Sequence, residues 1–225
     1  MTIAIIGYGK MGHMIESLAA KRGIAVGPKL DVNDTIDTVS LGGADVAIEF
    51  STPAAVVGNI EKIAAAGVNV VVGTTGWQDH IGHVKDVVAR HGIGLVWSPN
   101  YSVGVNAFFR IVDEAAKLLA TEADYEAWAW EIHHSAKKDA PSGTLVKLVA
   151  DMKKAGYTGP IDVSSSRAGT IAGTHEIGFD SAADTITLRH TARGREGFAS
   201  GALKAAEWIA GKKGFHEFAD ILFRQ

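Results

Sequence analysis

Through the first hundred residues, short β-branched apolar runs alternate with longer stretches of helical periodicity. Ile3 to Gly7, Val46 to Phe50, Val68 to Val72 and Gly94 to Ser98 are predicted as strands, since near-continuous apolar runs suit strands covered on both faces. Met11 to Lys21, Pro53 to Ala66 and Gln78 to His91 fill the gaps as helices, with Pro53 suited to a first helical turn. This order predicts parallel βαβ units with helices on both sides of one sheet. Residues 23 to 44 are the least regular stretch and have room for one short strand at most.

After Asn100 the pattern changes. Val105 to Ala120 reads as a helix, and Tyr125 to Ile132 alternates as a strand with one face covered does. Asp162 to Arg167, Gly173 to Asp180 and Asp184 to Ala192 are polar-alternating and joined by turn residues, which predicts an antiparallel or mixed sheet with one face on a helix. Phe198 to Ala210 is then a helix and Phe215 to Phe223 a terminal segment, both expected to return to the first domain. The organisation expected is residues 1–101 completed by 196–225, with residues 102–195 as a second domain.

The turn after the first strand reads Gly7, Tyr8, Gly9, Lys10, Met11, Gly12. Gly7 permits the backbone reversal, Gly9 lets a pyrophosphate approach the main chain, and Gly12 lets the following helix pack closely. The helix N-terminus then offers unpaired amides and a favourable dipole to the phosphates. Asp31 lies nineteen residues beyond Gly12, where a carboxylate can accept from the adenosine ribose hydroxyls. Together these predict an α/β, Rossmann-type domain holding a nicotinamide dinucleotide. Phe50 to Pro53, Gly73 to Gly76 and Ser98 to Tyr101 sit at the C-terminal ends of further parallel strands, where such sheets place ligands. Small hydroxyl residues at these ends can hydrogen-bond the ribose and the nicotinamide carboxamide, where bulky ones would occupy the cofactor's space.

The densest chemistry lies in fourteen residues of the second domain, Glu131 to Thr144. Ser142, Gly143 and Thr144, followed by an apolar run, look like a helix N-terminus whose amides and hydroxyl form a carboxylate site. His133 and His134 can supply an acid or base near neutrality, and Lys137 can pair with substrate anions or donate a proton. This grouping suggests a compact dianionic substrate. Metal binding is not expected, because adjacent histidines have the wrong spacing and the chain has no cysteine.

Composition narrows the picture. The 225 residues are 47% hydrophobic, enough to bury a core in one large or two modest domains. A formal net charge of −3 gives no field to attract nucleic acid. No apolar run approaches the roughly 18 residues of a membrane span, and residues 1–6 do not read as a signal segment, so a soluble cytoplasmic protein is expected.

The run Glu131 to Thr144 resembles the signature of the dihydrodipicolinate reductase family of the diaminopimelate and lysine pathway. The similarity extends through the glycine loop, residues 50–53, 73–76 and 100–106, Arg167 to His175 and Arg195 to Ala202. The resemblance implies NADH- or NADPH-dependent reduction of a cyclic unsaturated dicarboxylate, 4-hydroxy-tetrahydrodipicolinate, to tetrahydrodipicolinate. It assigns His133 as proton donor or acceptor, Lys137 as proton donor, His134, Gly143 and Thr144 to a substrate carboxylate, and Gly7 to Gly12, Asp31, Gly73, Thr74, Thr75, Ser98, Pro99, Asn100 and Tyr101 to the cofactor. It also implies an α+β substrate and tetramerisation domain with a mixed open sheet, and a homotetramer whose domains close over their ligands. Amino-acid and sugar dehydrogenases share the two-domain layout but lack the His-His-x-x-Lys to Ser-Gly-Thr arrangement. Residues 32 to 44 are compressed relative to many members, and Val32 stands where a basic residue would hold an adenosine 2′-phosphate. Asp31 favours ribose hydroxyls while Lys10 can attract a phosphate, so NADH with some NADPH use is expected.

Overall fold

In the computed structural model, which describes residues 1–223, the first half of the chain supplies β1 (Thr2–Ile6), α1 (Lys10–Lys21), β2 (Ala25–Leu30), β3 (Val46–Glu49), α2 (Val56–Ala65), β4 (Asn69–Val72), α3 (Ile81–His91) and β5 (Gly94–Trp97). There follow α4 (Val103–Leu119), β6 (Glu126–His133), α5 (Gly143–Lys154), β7 (Ile161–Arg167), β8 (Thr174–Asp180), β9 (Thr185–Thr191), α6 (Glu196–Ile209), β10 (Gly214–Glu217) and α7 (Phe218–Leu222). Two compact units result, residues 1–103 with residues from 196 onward, and residues 104–195.

The first unit is built on six strands in the order β10-β5-β4-β3-β1-β2, every pair parallel. Strand alternation divides its core. Ala4 and Ile6 of β1 face a cluster with Ile60 of α2 and Val84 and Val88 of α3, whereas Ile3 and Ile5 face Ile15 of α1 and Ala202 and Leu203 of α6. Each fully buried Ile or Leu here contributes about 1.5–3 kcal/mol of transfer free energy.

Three elements differ from the sequence expectation. Pro53 does not open a helix: Thr52 O accepts from Ala55 N at 3.0 Å and Val56 N at 3.1 Å, so the chain turns first and α2 begins at Val56. Gln78–His80 form a 3₁₀ turn ahead of α3 rather than its first turn. The stretch expected as a terminal segment contains β10, which pairs in parallel with β5 as the edge strand of the sheet. All four of its residues are half-buried, so it lacks the apolar run that marks the inner strands. Residues 23–44 do carry one strand, β2, at the opposite edge.

The second unit is a four-stranded mixed sheet, β7-β6-β8-β9, with β6–β7 parallel and the other pairs antiparallel. Ala127, Ala129, Ile177 and Phe179 on one face pack against Phe108 and Val112 of α4 and Leu145, Leu148 and Met152 of α5. By alternation Trp128 and Trp130 stand on the other face, half-buried.

Candidate active site

The glycine loop has the geometry that its residues dictate. Gly7 has φ +88°, and a β-carbon there would come within 2.1 Å of the Phe50 carbonyl oxygen, so only glycine fits the turn. Gly9 is the N-cap of α1 and brings no side-chain hydrogen bond. A β-carbon on it would meet nothing within 4 Å. The start of α1 therefore offers amides and open space, which fits the pyrophosphate of a dinucleotide.

Two clefts flank this loop. One, of about 550 Å³, is lined by Gly7, Gly9, Asp31, Val32, Asp34, Ser51, Asn59 and Lys62 among others. The second, of about 450 Å³, includes Gly9, Lys10, Met11, Ser51, Gly73, Thr74 and Thr75. Asp31 is exposed and accepts from Val32 N at 2.9 Å, while Asp34 accepts from Asp31 N at 2.7 Å, so the turn presents two carboxylates. Tyr8, half-buried, donates its hydroxyl to Glu16.

Residues 98–101 are placed differently. Tyr101 is 2% exposed, and its hydroxyl lies 3.0 Å from Val72 O and 2.9 Å from Val96 O, tying β4 to β5. Burial pushes its pKa well above the ordinary phenol value. Ser98 is buried too, donating to Asn100 O at 2.7 Å. The side chains of Ser98 and Tyr101 are thus engaged with the protein itself, while Pro99 is exposed and Asn100 half-buried.

Below the clefts lies a group that sequence reasoning missed. Glu49, the last residue of β3, is fully buried, accepting from Ser51 Oγ and from Asn59 Nδ2 at 3.2 Å, while its Oε2 has no partner. Burial raises its pKa, and the hydrogen bonds offset this only in part. Ser51 N in turn donates to Thr74 Oγ1 at 2.7 Å, linking the loops that follow β3 and β4.

In the second unit, strand register does the assembling. Residues two apart share a face, so Glu131 and His133 of β6 point together toward the helices, and His134 follows the end of the strand. His133 pairs with Arg167 of β7, and Glu131 with His175 of β8, which brings four side chains onto one face. Glu131, fully buried, receives Arg167 through Nη1 to Oε2 at 3.0 Å and Nη2 to Oε1 at 2.9 Å. His133 Nδ1 bonds the same carboxylate at Oε2, and Ser142 N donates to Oε1 at 3.2 Å. Burial alone would raise the Glu131 pKa, but Arg167, Ser165, His133 and Ser142 together bring it to about 2.

Ser142 is the N-cap of α5, its Oγ accepting from Leu145 N at 3.3 Å and bonding His175 Nε2 at 3.0 Å. Burial first, then the neighbouring His133, lowers the His175 pKa to about 4. Gly143 is exposed, a β-carbon there would meet nothing within 4 Å, and its backbone amide bonds the Asp139 carboxylate. Thr144 and His134 are half-buried. Lys137 reaches both oxygens of Asp139, at 2.7 and 2.8 Å, and holds the Asp139 carboxyl below its ordinary pKa. Glu131, His133 and His175 bring ligand-capable atoms within 4.8 Å of one another. Arg167 already occupies both carboxylate oxygens, and a guanidinium repels a cation, so the grouping reads as a hydrogen-bonded network.

The structure thus gathers His133 and the Ser142–Thr144 turn around Glu131, and gathers the glycine loop with Asp31, Thr74 and Thr75 at two clefts. Glu131, Arg167 and His175 had no assigned role in the sequence reading. The signal available for Glu131 was its two-residue spacing from His133.

Comparison with known proteins agrees with this arrangement. A family model described as dihydrodipicolinate reductase, N-terminus, matches residues 1–101, and one described as dihydrodipicolinate reductase, C-terminus, matches residues 104–222. The chain is 35% identical to a 4-hydroxy-tetrahydrodipicolinate reductase of Christiangramia forsetii, over 99% of this chain and 98% of that one. It is 36% identical to the protein of the same description from Ralstonia nicotianae, over 99% of both. In fold it is similar to a dipicolinate-bound dihydrodipicolinate reductase from Paenisporosarcina sp. TG-14, with a TM-score of 0.85 and 20% identity over 98% of this chain and 99% of that one.

Proposed function

The chain belongs to the dihydrodipicolinate reductase family, and from that premise we infer how its two sites divide the work. It is an NAD(P)H-dependent oxidoreductase that reduces 4-hydroxy-tetrahydrodipicolinate to tetrahydrodipicolinate in diaminopimelate and lysine biosynthesis.

Overall the 4-hydroxyl leaves as water, and a nicotinamide dinucleotide held at the glycine loop would supply the hydride that carbon 4 of the substrate ring takes up. Around it the chain's own residues bind and orient. The amides at the start of α1 hold the pyrophosphate, Asp31 accepts from the ribose hydroxyls, and Thr74 and Thr75 offer hydroxyls beyond β4. In the second unit the Gly143 amide, once Asp139 gives way, and the Thr144 hydroxyl take one substrate carboxylate, with His134 beside them. Lys137 exchanges Asp139 for the substrate and donates the one proton taken up, which His133 passes to the carbon next to carbon 4. Holding both carboxylates fixes the ring for reaction. The observation that carries this assignment is the shared carboxylate of Glu131, which bonds both His133 and the first residue of the Ser142–Thr144 turn.

For the cofactor, NADH is preferred with some NADPH use. Asp31 and Asp34 line the same cleft, and Val32 between them is 90% exposed without charge, so a 2′-phosphate there would meet like charge. Comparing kcat/KM for the two cofactors tests this; a strong preference for NADPH refutes it. The assembly is a homotetramer formed through the open sheet face of the second unit. Trp128 and Trp130 lie half-buried there, with Arg189 5.8 Å over the Trp130 ring, and light scattering checks the mass.

The deciding experiment couples the chain to a synthase that makes the 4-hydroxy substrate from pyruvate and aspartate semialdehyde, and follows loss of NAD(P)H. Consumption above a synthase-only control is expected. None, with cofactor binding confirmed, sinks the reductase reading.

A further inference from the structure

Glu131 lies inside the catalytic segment, yet no step above uses it, and it is the only group that bonds both the proton-moving histidine and the substrate turn among the described hydrogen bonds. Its surroundings are over-determined. Arg167 grips both oxygens, at 3.0 and 2.9 Å, and Arg167 Nη2 also donates to Asp139 O, where the loop between His133 and Ser142 runs back. Ala168 N donates to His133 O at 2.9 Å and Ser135 N to Gly169 O at 3.1 Å, so β7 clamps the exit of β6 as well.

A carboxylate in this state accepts and cannot donate. Arg167, always a cation, keeps it so. The short contact between Glu131 Oε2 and His133 Nδ1 must therefore carry its proton from the ring side. That leaves Nε2 of the neutral imidazole as the basic nitrogen. Nε2 faces Gly173, where a β-carbon would approach it to 2.7 Å and where φ is +142°, so no side chain covers that nitrogen from this position.

We propose that Glu131 is a positioning residue for the reductase reaction: it fixes the His133 imidazole by Nδ1, so that Nε2 moves the proton, and through Ser142 N it sets the helix start that takes the substrate carboxylate. Acid–base group and anion site then share one anchor, and a shift of that anchor misaligns both. The proposal rests on the reductase reading for its chemistry, but its tautomer requirement does not.

The test is ¹⁵N NMR of the whole protein labelled at histidine, with the His133 signals assigned by their loss in His133→Asn. Neutral His133 in the native protein is expected to carry its proton on Nδ1. A proton on Nε2 overturns the proposal, and no substrate or turnover is needed to read it. In Glu131→Gln the side-chain amide can donate as well as accept, so the tautomer preference is expected to be lost. There kcat should fall about 10- to 100-fold, the scale for an orienting partner, and KM for the dicarboxylate should rise while KM for NADH stays unchanged. A folded Glu131→Gln protein with native kcat and the native tautomer overturns the proposal. Should that variant not fold, the native spectrum alone decides. Absence of turnover in the coupled assay would strike the reductase reading and leave the tautomer measurement to be judged by itself.

Discussion

Each unit of this protein buries one glutamate beneath its ligand-facing loops, and the two behave in opposite ways. Glu49 and Glu131 are both fully excluded from solvent. Glu49 meets only neutral partners, Ser51 and Asn59, and burial raises its pKa. Glu131 meets Arg167 on both oxygens and falls to about 2. Burial is the same; the charge of the partner decides. The first unit thus uses its carboxyl as a polar brace between loops, whereas the second unit keeps a permanent charge beside His133.

The sharpest way to break this comparison is to remove the partner. Arg167→Met leaves Glu131 buried without its counter-ion, and a loss of roughly 3–5 kcal/mol of stability is expected. Asn59→Ala, the matching cut at Glu49, removes the hydrogen bonds from its amide to Glu49 and Ser51 and should cost about 1–2 kcal/mol. Urea denaturation of both variants makes the measurement. Equal losses would show that the two carboxyls do not differ in charge.

Next in size is the dependence of stability on pH. His175 titrates near 4 folded against 6.5 unfolded, so the unfolded chain binds the extra proton and stability is lost as pH falls from about 6.5 to 4. At roughly 1.4 kcal/mol per unit this amounts to about 3 kcal/mol. Glu131 adds a separate window: its stabilisation is present above pH 4.5 and lost as pH falls from there through about 2. Unfolding free energies measured at pH 7 and pH 4 should show the first loss, and His175→Gln should flatten it. A variant that loses as much as the native protein would exclude His175 as the cause.

On catalysis the comparison predicts an asymmetry. His133→Ala and Lys137→Ala should each lower kcat by about two orders of magnitude or more, the usual scale of a general acid, while NADH affinity measured by fluorescence titration barely changes. Near-native turnover in either variant would remove the role assigned to it.

How far the sequence foretold these regions follows the range of the interactions. The inner strands were legible because residues such as Ile3 to Ile6 and Val70 to Val72 are buried on both faces and hence continuously apolar. The glycine loop, and His133, Lys137 and Ser142 to Thr144, could be singled out as candidates because the residue types that carry their chemistry are close together in the sequence. Arg167 and His175 were not, because their approach to Glu131 depends on which strands pair and in what register, a product of long-range packing. Tyr101 shows the converse: its place at a strand end suggested a ligand contact, but a ring that large, tied to two carbonyls, belongs to the core. Glu49 was hidden between Ile48 and Phe50, where an apolar run conceals one buried acid.

The smallest effect is also the most direct test of what a neutral partner set means. If Glu49 serves as an uncharged brace, Glu49→Gln keeps its shape and its bonds to Ser51 and Asn59, and it replaces the unpartnered Oε2 with an amide end. Folding then no longer has to bury a carboxyl that water would ionise. Stability at pH 7 should accordingly change by less than about 1 kcal/mol or rise, and kcat/KM with NADH should stay within a factor of about two, since the Ser51–Thr74 link remains. Because a raised carboxyl pKa subtracts from stability as pH climbs above the unfolded value, the native protein should lose ground to the variant as pH rises above 4.5. Denaturation curves that run parallel across that range would show that Glu49 is no harder to ionise folded than unfolded, and the contrast with Glu131 would reduce to the Arg167 side alone.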